Sequence, residues 1–150
     1  MSEHVGTALE QSDIDGFLKD HGLGVLSLAD ADQAYAIPIA FAYDGEQNRC
    51  FFRFIMGEDS RKRDFVATTD RASLAVYEWK TQNQWTSVVM NGPIRPVAES
   101  ELTVAASLFS DIGEEAALKT FNRPITEYDT AWYNLEPDEI TGRGRRVGAE

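Results

Sequence analysis

The stretch Tyr35-Ala36-Ile37-Pro38-Ile39-Ala40-Phe41-Ala42-Tyr43 decides how this chain is read. Its odd positions are large and apolar, its even positions are alanine or proline, and successive side chains of a strand point to opposite faces. A single strand over 35–43 is therefore expected, with one core face and one smooth face. Pro38 removes a ladder donor in the middle of the run, which places the strand at a sheet edge or at a bulge. Backbone groups near 37–40 are then open to a flat, polar-edged ring lying along the strand. The alternative use of the same alanines is to let two sheets or two subunits approach closely.

Working outward, strand-like runs at 24–28 and 50–55 flank this segment, joined to it by the polar connectors 29–33 and 44–49, the second with Asp44-Gly45. A helix is expected over 59–68, and strands at 73–79 and 85–97 form a hairpin. Ala/Leu-rich helices are expected at 100–109 and 114–121, and weaker strands at 130–135 and 139–141. Near the start, Ser12 and Asp15 are spaced as a capping box, with Ile14, Phe17 and Leu18 at helical spacing before Gly22. Strands in neighbouring hairpins do not fit the strand–helix alternation of a parallel sheet. The expected class is mainly β (α+β), a closed or partly closed antiparallel barrel with accessory helices. It forms one domain over 1–150, with an N-terminal helix within 1–22, a helical insertion at 98–122 and a flexible tail at 143–150. A sizeable ligand site in such a domain belongs on the barrel flank or between subunits.

The chain has 150 residues, 43% of them hydrophobic, and 25 Asp plus Glu against 14 Lys plus Arg, for a net charge of −11. Such a composition folds, and such a charge repels phosphate backbones, so nucleic acid and anionic membranes are poor general partners. The cations are ten Arg and four Lys. A charge magnitude beyond the roughly 2–8 usual for a small domain points either to plain solubility or to a high-salt, halophilic cytoplasm. The single cysteine, Cys50, lies among apolar neighbours and reads as a small buried hydrophobe. No run reaches the roughly 18 apolar residues of a membrane span, and Met1-Ser2-Glu3-His4 does not read as a leader, so a cytoplasmic protein is expected.

Against that charge, Gly57-Glu58-Asp59-Ser60-Arg61-Lys62-Arg63 carries three consecutive cations at an expected helix start. Free amides and the helix dipole favour an anion there, Ser60 can donate a hydroxyl bond, and Arg61 or Lys62 can neutralise a phosphate. Arg53, inside the apolar run Phe51-Phe52-Arg53-Phe54, points toward the same end and needs an anionic partner if buried. A solvated network with Glu58, Asp59 and Asp64 is the alternative.

Taken together, Tyr35 to Phe41, Phe52-Arg53-Phe54, Ser60-Arg61-Lys62, Arg71-Ala72-Ser73-Leu74-Ala75-Val76 and Trp85-Thr86-Ser87-Val88-Val89-Met90-Asn91-Gly92 resemble the pyridoxamine 5′-phosphate oxidase-like flavoproteins. The resemblance covers 22–98 well and extends loosely to Leu135-Glu136-Pro137 and Ile140-Thr141-Gly142-Arg143. It implies a homodimeric split β-barrel with FMN in a groove at each subunit interface and a small-molecule substrate that is not assigned. By that resemblance Arg53, Ser60, Arg61 and Lys62 hold the FMN phosphate and ribityl end, and the backbone at Ile37, Pro38, Ile39 and Ala40 meets the isoalloxazine. Phe54 flanks the ring, and Trp85 and Ser87 lie on the strand that completes the site. The substrate-phosphate residues of the true oxidases are not matched, so the likeness is to the smaller branch of flavin-dependent reductases and proteins with no established reaction. The expected activity is FMN-dependent oxidoreduction; the alternatives are a non-catalytic or stress-related flavin-binding protein, or the same barrel using deazaflavin F420 or haem.

Other signals are weaker. Gly22-Leu23-Gly24 precedes a strand instead of following one, His4 and His21 are isolated, and there is no Gly-x-Ser-x-Gly elbow. Trp79, Trp85 and Trp132 fit core or interface positions. Gly142-Arg143-Gly144-Arg145-Arg146 reads as a solvated tail, with Arg143 reaching the groove as the alternative.

Overall fold

A computed structural model describes residues 6–56, 61–109 and 129–145. Along the chain run β1 (Thr7–Ala8), α1 (Gln11–Lys19), β2 (Leu23–Asp30), β3 (Gln33–Ala40), β4 (Ala42–Asp44), β5 (Arg49–Met56), α2 (Arg61–Thr68), β6 (Arg71–Thr81) and β7 (Gln84–Pro96). A 3-10 turn at Glu99–Glu101 leads into a helix, α3, over 102–109, and β8 (Asp129–Leu135) and β9 (Glu139–Arg145) follow. Among the described residues every strand pairing is antiparallel. The fold is thus mainly β with accessory helices.

Hydrogen-bonded neighbours follow the path β3-β2-β6-β7-β8-β5-β4, with β9 also on β7 and β1 on β9. The two ends of that path, β3 and β4, are separated in the chain by Phe41 alone. The sheet must therefore curl until its ends meet, as a split barrel does, leaving a seam where β3 gives way to β4. Phe41 donates its amide to the Gly22 carbonyl at 3.0 Å in place of a strand partner. At the opposite side β7 is shared: Trp85–Asn91 pair with β9 and Ile94–Pro96 with β8. Gly92 sits at this fork, where a Cβ would lie 2.5 Å from the Glu136 carbonyl oxygen, so no larger residue fits without a backbone shift.

The barrel interior is filled by Leu26, Phe52, Phe54, Leu74, Val76, Val88, Met90 and Leu135, all fully enclosed, with Ile14 and Leu18 of α1 and Phe65 and Val66 of α2 closing onto it. Cys50 lies in the same core, as expected, and burial pushes its thiol well above its ordinary range. Pro38 is exposed on β3, which is the edge of the path, and so breaks no ladder between two strands.

Several expected boundaries are corrected. The single strand over 35–43 is two strands: alternation holds through Ile39, but Ala40, Phe41, Ala42, Tyr43 and Asp44 are all buried, because the chain there crosses from one side of the barrel to the other. Ser12 is not a helix cap; α1 starts after Glu10 with no side-chain cap, and Asp15 instead accepts hydrogen bonds from Tyr43 Oη at 2.5 Å and Gln11 Nε2 at 2.8 Å. The last strand continues to Arg145, so Arg143 and Gly144 pair with Ser87 and Thr86 and do not begin a tail. Ser60 and the expected helix over 114–121 lie outside the described residues.

Candidate functional site

The seam is lined by small and apolar groups from four elements. Ala40, Ala42, Ile55 and Phe109 form a second buried cluster, separate from the barrel core, with Leu108 and Trp132 packed against it. Strand alternation puts Phe52 and Phe54 of β5 inside the barrel and turns Arg53 and Ile55 the other way, toward this cluster. Arg53 is in register with Trp132 of β8. Its guanidinium carbon lies 5.4 Å from the Phe109 ring centroid and 5.8 Å from that of Trp132, while the two rings meet edge to face at 5.4 Å and 86°. A cation seated in a corner of two ring faces keeps its charge and loses its freedom to rotate.

Helix α2 brings the second cation. Phe65 and Val66 bury one side of that helix, which leaves Lys62 half-buried with Nζ donating to the Ile55 carbonyl at 3.0 Å. Burial lowers the Lys62 pKa from its ordinary value, because the charged form loses hydration. Arg61, one residue earlier, is exposed and lies over the rings of Tyr35 at 5.1 Å and Phe65 at 5.6 Å, which themselves stack at 5.0 Å.

The structure therefore brings Arg53, Lys62 and Ala40 to one seam, while Arg61 packs over Tyr35 and Phe65. Ile37 faces the core and Ile39 packs against it, so β3 offers its edge backbone, Ala36 and Pro38 to the outside, while Ala40 is buried at the seam. Phe54 is wholly enclosed, edge-on to Phe52 and Tyr133, and supports β5 from within the barrel. Trp85 and Ser87 lie elsewhere in the same chain. Ser87 is in register with Tyr77 and Arg143, and Trp85 with Trp79 and Arg145, three strands or about 14 Å across the sheet from β3. Trp85 also lines a polar cleft of about 650 Å³ with Phe17, His21, Glu78, Lys80 and Arg145.

Sequence reasoning missed Phe109 and the network around Arg49. Arg49 joins Asp44 at 3.2 Å and Glu101 at 2.9 Å. Burial opposes the guanidinium charge, but the hydrogen bonds to Glu101 and Asp44 outweigh it and raise its pKa. The local signals were present, an acid and a base flanking a turn and an aromatic ending an apolar helix, but nothing local joins Glu101 to Arg49 across 52 positions. Among the described residues no cluster of His, Cys, Asp and Glu is arranged to hold a metal, and no helix is long and apolar enough to cross a membrane.

Residues 10–144 match the family described as pyridoxamine 5′-phosphate oxidase. Among solved structures, a FAD-binding protein of Mesorhizobium loti is 17% identical, with a TM-score of 0.75 over 94% of this chain and 99% of that one. A FAD-binding protein of Mycobacterium smegmatis is 22% identical, with a TM-score of 0.69 over 95% and 100%. A heme-binding protein of the same organism is 14% identical, with a TM-score of 0.69 over 94% of this chain and 56% of that one. At these identities the likeness establishes the fold.

Proposed function

This chain belongs to the pyridoxamine 5′-phosphate oxidase family, and from that premise we propose that it binds FMN at the seam and acts as an oxidoreductase on a small-molecule substrate not yet assigned. The observation that carries the reading is the convergence of Arg53 and half-buried Lys62 on one apolar seam in a chain of net charge −11. The donor set fits a phosphate ester: one fixed guanidinium, one partly desolvated ammonium, and the start of α2. Lys62, Arg61 and Ser60 hold the phosphate, Arg53 holds the phosphate and ribityl end, and the edge backbone of Ile37–Ala40 exchanges hydrogen bonds with the ring. Phe54 sets the strand that carries Arg53. When bound, the flavin supplies the hydride chemistry.

The site is completed in a homodimer. Leu23, Tyr77 and Trp79 stand 57%, 65% and 62% exposed. Strand register puts them on the outer sheet face that also carries Pro38, Val25, Ala75, Ser87 and Trp85. An apolar face of that kind calls for cover, and a second copy laid across it brings its own Ser87 and Trp85 toward the seam. His21 lies in the cleft by α1 and Cys50 in the core, so neither is placed to ligate a haem at the seam.

The absorption spectrum of the purified protein is the test. Flavin bands, with FMN released on denaturation, are expected; FAD on release keeps the site and changes the nucleotide. A Soret band, the single band of a deazaflavin, or colourless protein that takes up no added FMN overturns the proposal. Turnover of reduced nicotinamide with an electron acceptor separates an enzyme from a protein that only stores flavin.

A further inference from the structure

Two arginines on the seam side of β5 meet opposite ends of the segment that carries α3. At its start, Glu101 Oε2 accepts from Arg49 Nη1 at 2.9 Å, and Arg49 Nε donates to Asp44 Oδ2 at 3.2 Å, with the Arg49 and Asp44 side chains 6% and 9% exposed. At its end, Phe109 lies against the Arg53 guanidinium and edge-on to Trp132. A helix over 102–109 is too short to hold its position by its own hydrogen bonds. Its place is set by its own buried side chains, Ala105 and Phe109, the second of them at the seam, and by the ion pair of Glu101 just before it.

We infer that Arg49 and Glu101 are positioning residues for the phosphate end of the seam: their ion pair fixes the start of α3, and α3 holds Phe109 on the Arg53 guanidinium so that its donors stay aimed at the anion. This rests on the flavin reading above. A guanidinium grips a phosphate with a planar fork, so a tilt of its plane loses one of two parallel bonds and keeps the charge. The rings of Phe109 and Trp132 bear on that plane. A fault introduced at Glu101 therefore reaches the phosphate without touching the ligand.

The experiment titrates FMN, and riboflavin as the same ring without phosphate, into the flavin-stripped full-length chain and follows flavin fluorescence. The variants are Glu101→Lys, Glu101→Gln and Phe109→Leu, each alone and with Arg53→Met. The expected result is a loss of FMN affinity of about tenfold in Glu101→Lys and Phe109→Leu, less in Glu101→Gln, with riboflavin affinity held within about twofold. In the Arg53→Met background the same changes are expected to add no further loss, which is the non-additivity of residues that act through one another. Parallel losses for FMN and riboflavin, or undiminished losses without Arg53, overturn the inference and leave Glu101 a purely structural residue. Wild-type protein that holds FMN no better than riboflavin defeats the phosphate reading instead. The clamp is then decided by the indole N–H resonance of Trp132, identified with Trp132→Phe. Its displacement in Glu101→Lys, with Trp79 and Trp85 unmoved, keeps the coupling, and an unmoved Trp132 ends it.

Discussion

Arg49 and Arg53 stand four residues apart on one strand, on the same side of it, and Arg49 adds two carboxylates to the aromatic contact that both make. Arg49 lies between the carboxylates of Asp44 and Glu101, with the ring of Phe51 4.6 Å beneath it. Arg53 lies in the corner of Phe109 and Trp132. Carboxylates neutralise a cation's charge, whereas ring faces orient a guanidinium without neutralising it. The difference separates a residue that ties the barrel together from the one proposed to serve a ligand, and position along the strand alone would not have told them apart.

The comparison is broken most directly by removing each guanidinium in turn. Arg49→Met leaves Asp44 buried without its cation, and stranding a buried charge costs about 3–5 kcal/mol. Urea unfolding should show a loss at the lower end of that range, since Asp44 also accepts amide bonds from Glu46 and Gln47. Arg53→Met keeps an apolar stem against both rings, so its stability loss should stay near ~1 kcal/mol while FMN affinity falls by more than in any α3 variant. Equal stability losses at the two positions would remove the distinction.

Next in size is the charge reversal of the second seam cation. Lys62→Glu puts a carboxylate where the phosphate is proposed to lie, and a loss of about 2–3 kcal/mol, roughly a hundredfold in Kd, is expected. Lys80→Glu, on the exposed tip of the β6–β7 hairpin, should change FMN affinity by less than about twofold. Equal effects reject the cradle.

A pH series sharpens the same point. Burial lowers the Lys62 pKa, so as pH rises its ammonium deprotonates before an ordinary lysine does. The charged form is the one that holds a phosphate, so FMN affinity should fall as pH climbs through the alkaline range. Stability runs the other way: the folded state binds this proton less tightly than the unfolded chain, so the contribution of Lys62 to stability rises across the same window. Lys62→Arg should bind FMN with a flatter alkaline profile, and an unchanged slope would show that another group titrates.

Legibility in the sequence followed the range of the interaction. The alternation of Tyr35 to Ile39, the edge signal of Pro38 and the β6–β7 hairpin are local patterns and were read correctly. The break at Phe41 was not, because alternation continues in the letters through Tyr43 while the backbone turns across the seam to let Phe41 bond Gly22. Ser12 and Asp15 have capping spacing, yet Asp15 is taken by Tyr43, 28 positions away, also bonded to Asn48. Arg53 and Lys62 were legible as odd cations in an acidic chain. Their supports, Phe109, Trp132 and Glu101, come from elements whose approach only the folded barrel fixes.

Salt should give the smallest effect and sets the two regions against each other. The chain carries 25 carboxylates against 14 cations, and such an excess of one sign repels itself through water, where a Debye length of ~10 Å at 0.1 M shrinks to ~3 Å at 1 M. Molar salt should therefore raise the melting temperature, by roughly 3 °C if screening is worth about 1 kcal/mol in a chain of this length. The Arg49 pair is sheltered from solvent and should contribute little to that change, so Arg49→Met should show the same rise from a lower starting point. At the seam the sign reverses, because screening weakens attraction between Arg53, Lys62 and a phosphate; FMN affinity should fall as the melting temperature rises. A melting temperature that stays flat or drops removes the adaptation to a high-salt cytoplasm and leaves the seam untouched. FMN affinity indifferent to salt would instead mean that the ring, not the phosphate, carries the binding, and the contrast between the two arginines would then concern stability alone.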